Sequence, residues 1–367
     1  MLLDSSHSRD ARETQVAEMA EMAEITELAD AEGRVVAIVG ATGAVGEVLL
    51  RVLEERRFPV AELRALASEK SVGSSVRFRG RDVRVELARP EAFDGADLVF
   101  FAATGALSKD LAPEVARRGG IAIDKSSTWR LDPEVPLVVP EINPGALEKQ
   151  RGIVACPNCT TIGFVMALEP LRRAAGLRSV VVTTLQAVSG AGRPGIDDLE
   201  AELGAIGRGE PVPAPKTFSE QIAHNVLPLC DSFRDDGYST EEMKLLFETR
   251  KILELPDLAV SMTCVRVPVP VGHSAALLVE TARPLGVAEA RRALEGFPGV
   301  RVVDEPARLR FPTPKDVAGR DEVLVGRLRK DLGSERLWLW EVSDNLRKGA
   351  ATNAVQIAEE MIRRGLA

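Results

Sequence analysis

VVAIVGATGAVGEVLLRVLEERRF, Val35 to Phe58, joins a five-residue apolar run to a glycine turn, and then to a helical pattern with Val45, Val48, Leu49, Val52 and Leu53 on one face. A short apolar run with no polar alternation is what a parallel strand covered on both faces needs, and the change of period after it marks an amphipathic helix. The glycines are Gly40, Gly43 and Gly46. A strand that runs through small residues into a helix N-terminus can hold a dinucleotide pyrophosphate, because the backbone comes close and its N–H groups face the anion. The spacing is G-x-x-G-x-x-G, which differs from the G-x-G-x-x-G of many NAD enzymes.

Outward from this unit, the next strand is expected over Leu63 to Ala67, with its end beside the adenosine ribose. There the chain reads Ser68-Glu69-Lys70-Ser71. Lys70 and Ser71, with Ser68, suit the 2′-phosphate of NADP, whereas Glu69 suits the free hydroxyl of NAD and leaves dual use open. LVFFAAT (Leu98 to Thr104), a helix near Ser108 to Arg118, GGIAID (Gly119 to Asp124) and PLVVPEIN (Pro136 to Asn143) continue the alternation. Repeated strand-helix units imply an α/β fold with a Rossmann-like doubly wound parallel sheet. Arg130, in SSTWR, falls on a loop after a strand end, where it can clamp an anion.

ACPNCTT, Ala155 to Thr161, ends one apolar run (Gly152 to Ala155) and opens a helical one (Thr161 to Ala175). Cys159 sits at that corner, where unpaired N–H groups and the helix dipole favour a thiolate, and a nearby histidine lowers the thiol pKa further. Cys159 is therefore the candidate nucleophile.

In the second half, SVVVTTLQAVSGAGRPG places Gln186 near a strand end and Ser189-Gly190 in a loop of small residues. Residues 208 to 238 read as a surface excursion. Ser239 to Leu253 is a helix capped by Ser239 or Thr240, with Glu241 and Lys244 three apart on one face. Ser261 to Thr281 gives two strand segments around Gly272-His273, the first an edge or bulged strand because of Pro268 and Pro270. Arg266 and His273 can share a pocket across the bend. LWLWEVSDNLRKGAATNAVQIAEEMI adds a strand, a turn with Asn345, and a helix from about Gly349 to Arg364 that returns to the first domain. The expected division is an acidic tail (1–33), a dinucleotide-binding domain (34–158), an α+β catalytic and dimerisation domain (159–345), and a returning helix (346–367).

The net charge of −8 is concentrated in residues 1 to 33, with nine acidic residues against two arginines; the near-neutral remainder offers no basic face for nucleic acid. No apolar run reaches the ~20 residues of a membrane span, and the N-terminal segment lacks the features of a secretory or mitochondrial signal, so a cytoplasmic location is expected. Four cysteines in such a chain make no disulfide framework. Cys156-Pro-Asn-Cys159 is a C-x-x-C, as in redox switches and zinc sites, but zinc needs a second close pair and Cys230 and Cys264 are far apart.

Taken together, VAIVGATGAVG, ALASEKS, PLVVPEIN, ACPNCTT, QAVSGAG, EEMK, CVRVPV, GHS and SDNLRKGAA, in this order from Val35 onward, resemble the aspartate-β-semialdehyde dehydrogenase family. The resemblance implies reduction of L-aspartyl 4-phosphate by NADPH to L-aspartate 4-semialdehyde, a step towards lysine, threonine and methionine. It implies Cys159 as nucleophile, with Cys156 a bystander, and His273 as acid/base. Gln186 would orient the acyl group, Arg266 bind the substrate carboxylate, Glu241 its amino group, and Arg130 and Lys244 the phosphate, with Asn158 beside them. Thr42, Gly43, Ala44, Val45, Lys70, Ser71, Ser189, Gly190 and Asn345 would touch NADP, along with Gly40, Gly46 and Ser68. The resemblance implies no metal, and a homodimer or a pair of dimers. Lys125, in IDKSS, stands where relatives often carry Asn; Ala103-Thr104 replaces a more usual Ala-Gly, and His224 is given no role. N-acetyl-γ-glutamyl-phosphate reductase shares fold, thiol chemistry and cofactor; the Glu241 and Lys244 pair and the PNCTT context favour the aspartyl substrate.

Overall fold

The computed structural model describes residues 32 to 367, so the expected acidic tail falls, but for its last two residues, outside the described residues. The first sheet has seven strands: β1 (Arg34–Val39), β2 (Val60–Ala67), β3 (Ser75–Phe78), β4 (Arg81–Leu87), β5 (Leu98–Phe101), β6 (Ile121–Asp124) and β7 (Ile153–Ala155). Their order is β3-β4-β2-β1-β5-β6-β7, parallel throughout except for the β3/β4 hairpin. Val36 to Val39 are wholly inaccessible, as an unbroken apolar run requires. Helices α1 (Ala44–Glu55) and α2 (Gly105–Arg117) follow β1 and β5. The order reverses at β1, between β2 and β5, which places a binding crevice beyond its carboxyl end.

Helix α3 (Cys159–Ala175) leads into a second, six-stranded mixed sheet. Its strands are β8 (Leu177–Gln186), β9 (Ala259–Arg266), β10 (His273–Thr281), β11 (Val300–Val302), β12 (Val323–Lys330) and β13 (Leu337–Ser343), in the order β11-β12-β13-β10-β8-β9. Between them run α4 (Arg193–Arg208), α5 (Thr240–Ile252), α6 (Val287–Glu295) and the one-turn α7 (Pro314–Val317). A wide helical turn, Arg347–Ala351, precedes the last helix, α8 (Thr352–Arg363). Phe164, Val165 and Leu168 of α3 share one continuous apolar core with Val36 and Ile38 of the first sheet and Leu277 and Leu339 of the second. Helix α8 packs on the first sheet's side, where the carboxylate of Glu359 takes Arg56 Nε at 2.8 Å. Among the described residues no helix is long and apolar enough to cross a membrane.

Several expectations change. PLVV is buried but is no strand: only Leu137 bridges, to Ala155, and the prolines at 136 and 140 have no N–H for a ladder. The β3/β4 hairpin and α4 were not anticipated. The excursion over 208 to 238 runs over the surface as expected but is pinned at one point, where Ile222 and Ala223 are buried and both of their N–H groups donate to Glu202 Oε2 at 2.9 and 2.7 Å. β9 is the sheet edge as expected, although it ends at Arg266 with Pro268 and Pro270 beyond it, and Ser239 is the helix cap, in a reciprocal box with Glu242.

Candidate active site

Cys159 is the first residue of α3, and Asn158 is its N-cap, accepting from the N–H groups of Thr160 (2.9 Å) and Thr161 (3.3 Å) through its side-chain oxygen. The cap fixes the corner. Its other end is held as well: Asn158 Nδ2 donates to both carboxylate oxygens of Glu241 at 3.0 and 3.1 Å, and its backbone N–H to Glu248 Oε2 at 2.7 Å. The candidate nucleophile therefore stands on a helix end braced by two carboxylates of α5.

His273, the first residue of β10, brings Nε2 to 3.4 Å from Cys159 Sγ. On the other side of the ring, Nδ1 accepts the backbone N–H of Ala187 at 3.0 Å. A backbone N–H can only donate, so Nδ1 must be the unprotonated nitrogen and Nε2 carries the proton toward sulfur. Charging the ring would set two N–H groups against each other. Burial, then Arg266 and Lys125, hold the imidazole well below its ordinary value, so it rests neutral. The histidine expected near the thiol is in place, and as a neutral ring it offers the sulfur a hydrogen bond and no net charge. Burial pushes the Cys159 thiol up, as does Glu241, while Lys125, Arg266 and Arg130 pull the other way.

The sequence-named cations converge here. Arg130 is buried: Nη1 meets Glu248 at 2.9 Å, Nε the Cys156 carbonyl at 3.1 Å, and Nη2 the Lys125 carbonyl at 2.6 Å. Lys244 reaches Asp231 at 2.7 Å and Glu241 at 3.3 Å. Arg266 Nη1 donates to the Ala187 carbonyl at 2.7 Å. Arg266 and His273 do share a pocket, for a side chain on Gly190 would stand 2.6 Å from Arg266 Nη1 and 3.2 Å from His273 Nε2. Gln186 ends β8, next to the amide that holds His273; its Nε2 donates to Thr184 at 3.3 Å. Sequence reasoning missed Glu248, Asp231 and Lys125. Glu248 carried a signal, since it lies seven residues past Glu241 and four past Lys244, on the same helix face.

On the first sheet, α1 begins at Ala44 behind Gly43 with no side-chain cap, so its terminal N–H groups are free for an anion. Gly40 has φ +88°, and a side chain there would strike the Ala102 carbonyl; one on Gly46 would strike the Gly40 carbonyl. This cradle tolerates no Cβ at either end. Val45 is half-buried on the first turn of α1, and Thr42 donates to the Ser71 hydroxyl at 3.1 Å, closing the turn onto the loop after β2, where Ser68, Glu69 and Lys70 are exposed. In the other lobe Asn345 Nδ2 donates to Ser189 Oγ at 2.9 Å, and Asn345 Oδ1 accepts from the Gly272 N–H at 2.9 Å. The turn Arg347–Ala351 joins the halves: Arg347 bonds Glu55 of α1 at 2.6 Å, and Gly349 packs against Cys159.

One carboxyl near the site is unlike the rest. Glu341 of β13 is buried against Gly163, one turn beyond Cys159 on α3; its Oε1 has no hydrogen-bond partner among the described residues, and burial pushes it up to about 8. From its ordinary 4.5 up to that value, the folded chain keeps a proton that the unfolded chain has lost. Stability thus falls with rising pH, by up to ~1.4 kcal/mol per unit from this group. Glu341→Gln is expected to raise the melting temperature at pH 8, with the gain shrinking to little at pH 5; thermal melts at both pH values check it.

Comparison with known proteins agrees with this geometry. Residues 35–150 match the model of the semialdehyde dehydrogenase NAD binding domain, and residues 168–348 that of the semialdehyde dehydrogenase dimerisation domain. The chain is 50% identical to the aspartate-semialdehyde dehydrogenase of Aquifex aeolicus over 321 residues, 86% of this chain and 94% of the relative. It resembles the crystal structure of aspartate semialdehyde dehydrogenase II from Vibrio cholerae complexed with ASA, with TM-score 0.88 and 46% identity over 91% of this chain and 99% of that one. A more distant match, at TM-score 0.72 and 25% identity over 92% of this chain and 100% of the other, is aspartate semialdehyde dehydrogenase with NADP from Candida albicans. A nucleotide cradle, a helix-end thiol facing a neutral imidazole, and relatives alike over nearly their whole length lead to one assignment: the chain belongs to the aspartate-semialdehyde dehydrogenase family.

Proposed function

We propose that the chain reduces L-aspartyl 4-phosphate to L-aspartate 4-semialdehyde with NADPH, the acyl group passing through a thioester on Cys159. The observation that carries this is the Cys159 sulfur at the start of α3, 3.4 Å from His273 Nε2 and within the field of three cations. Sulfur attacks the acyl carbon, the S–C bond forms, and the C–O bond to phosphorus breaks with its electron pair going to phosphate. The thiol proton ends on that phosphate, which balances the step. Arg130 and Lys244 are placed to hold the phosphate, Arg266 the α-carboxylate, Glu241 the amino group, and Gln186 and Asn158 to fix the acyl chain.

NADPH, when bound, supplies the hydride that the thioester carbonyl accepts. Gly40, Gly43, Ala44, Val45 and Gly46 would hold its pyrophosphate, Thr42, Ser68, Lys70 and Ser71 its ribose end, and Ser189, Gly190 and Asn345 the end near sulfur. His273 Nε2–H is directed at the sulfur, and so at charge that develops on an oxygen beside it. To carry a proton the ring must release the Ala187 amide. It is then a strong acid, ready to pass the proton on. A homodimer or pair of dimers in the cytoplasm completes the proposal.

The direct test is reduction of NADP by aspartate semialdehyde with and without phosphate, beside NAD and beside the N-acetylated glutamate semialdehyde. Phosphate-dependent activity on the aspartyl compound, stronger with NADP, is expected. Activity on the N-acetylated compound alone overturns the assignment. In the same assay Arg266→Leu should raise KM for the semialdehyde by roughly 30-fold or more, the worth of one charge-assisted bidentate contact, with a smaller change in KM for NADP.

A further inference from the structure

Among the described residues, two of the cations around the sulfur are already matched by carboxylates, Arg130 by Glu248 at 2.9 Å and Lys244 by Asp231 at 2.7 Å and Glu241 at 3.3 Å. Among the described residues Arg266 and Lys125 enter no ion pair. Each is tied to a backbone carbonyl, Arg266 Nη1 to Ala187 at 2.7 Å and Lys125 Nζ to Gly349 at 3.0 Å. An incoming α-carboxylate neutralises Arg266 in the proposed complex. Lys125 is left facing a backbone carbonyl and no carboxylate.

Its placement is fixed from both sides. Lys125 follows β6, its N–H bonds the Phe101 carbonyl at 3.0 Å, and its own carbonyl takes Arg130 Nη2 at 2.6 Å. The side chain then crosses to Gly349, which lies so close to the nucleophile that a Cβ there would stand 3.1 Å from Cys159 Cβ and 3.2 Å from its carbonyl oxygen. We propose that the Lys125 ammonium is the positioning charge that eases ionisation of Cys159, a task the imidazole cannot take while the Ala187 amide occupies Nδ1. The other charged or titratable groups facing the sulfur are His273 from β10, Glu241 from α5, Arg130 from the loop after β6, Arg266 from β9 and the buried Cys230 thiol. Glu241 opposes ionisation, and Lys125 is foremost among the cations that favour it. Asp124, the neighbour of Lys125, is turned away to Ser126, whose hydroxyl it accepts at 2.6 Å.

The inference rests on Cys159 being the reactive thiol, and its test separates the two ideas. Iodoacetamide alkylation of Cys159 is followed by peptide mass spectrometry from pH 5.5 to 10 in the full chain and in three variants. Lys125→Gln keeps a donor for the Gly349 carbonyl without the charge, Lys125→Asn is a second neutral amide, and Lys125→Arg keeps the charge. The amide variants are expected to shift the profile up by about one pH unit, with alkylation at pH 7 roughly tenfold slower, and Lys125→Arg to stay near the parent. An amide profile that superposes on the parent's overturns the proposal. So do equal shifts in the amide and arginine variants, which make the lysine a structural prop. A parent chain in which Cys159 is not alkylated removes the reactive thiol itself, whatever Lys125 does.

Discussion

Cys159→Ala is expected to lower kcat for phosphate-dependent NADP reduction by at least ~10³-fold, with the fold and NADP affinity kept. The size follows from the lack of a substitute. Cys156 is inaccessible, with its sulfur accepting from Asn353 Nδ2 at 3.3 Å and facing the Ala350 carbonyl at 3.9 Å, so it packs the base of the turn. Burial pushes the Cys230 thiol up to about 12 and the Cys264 thiol up as well, so neither supplies a thiolate near neutral pH. Cys156→Ala should therefore leave much of the activity. Steady-state rates of both variants, with circular dichroism to show that each is folded, decide the matter. The reverse pattern would favour a redox role for the C-x-x-C pair.

The second large effect is expected at His273. Replacing it by alanine removes both the Nε2–H that faces sulfur at 3.4 Å and the acceptor of the Ala187 amide. A loss of 10²- to 10⁴-fold in kcat is expected, the usual range for a positioned acid/base group. His273→Asn offers a partial control, since an amide can restore a donor beside sulfur without carrying a proton. It should recover part of the ground-state hydrogen bond, seen in the alkylation rate of Cys159, and little of the turnover. Equal turnover in His273→Asn and the parent would reduce the ring to a hydrogen-bond donor.

The nucleotide turn and Cys159 were legible in the chain because their signals are local, whereas His273 took its acid/base role from the resemblance. Val35 to Phe58 carries strand, glycine turn and helix in one stretch, and ACPNCTT carries strand end, cap and nucleophile. What escaped depends on pairs remote in sequence. Glu248 matters because Arg130, 118 residues away, reaches it, and the state of His273 is set by an amide 86 residues earlier. Lys125 looked like a departure in a cofactor loop; only its path to Gly349, 224 residues on, brings it to the sulfur. The missed α4 has apolar Ile196, Leu199, Leu203 and Ile206 at helical spacing, hidden behind a Gly-rich, Pro-containing start. The β3/β4 hairpin alternates Val76, Val83 and Val85 with charged residues at the exposed edge, a weak pattern in segments this short. PLVV erred the other way, because burial without backbone pairing looks the same as a strand in a list of apolar residues.

The most direct measurement is a single turnover without phosphate. The chain is mixed with NADP and aspartate semialdehyde, NADPH is followed by absorbance, and the quenched protein is mapped by mass spectrometry. A burst of about one NADPH per site, with an aspartyl adduct on the Cys159 peptide that is released when phosphate is added, is the predicted result. A full burst with Cys159 unmodified, or an adduct on another residue that phosphate discharges, would contradict a thioester at this sulfur.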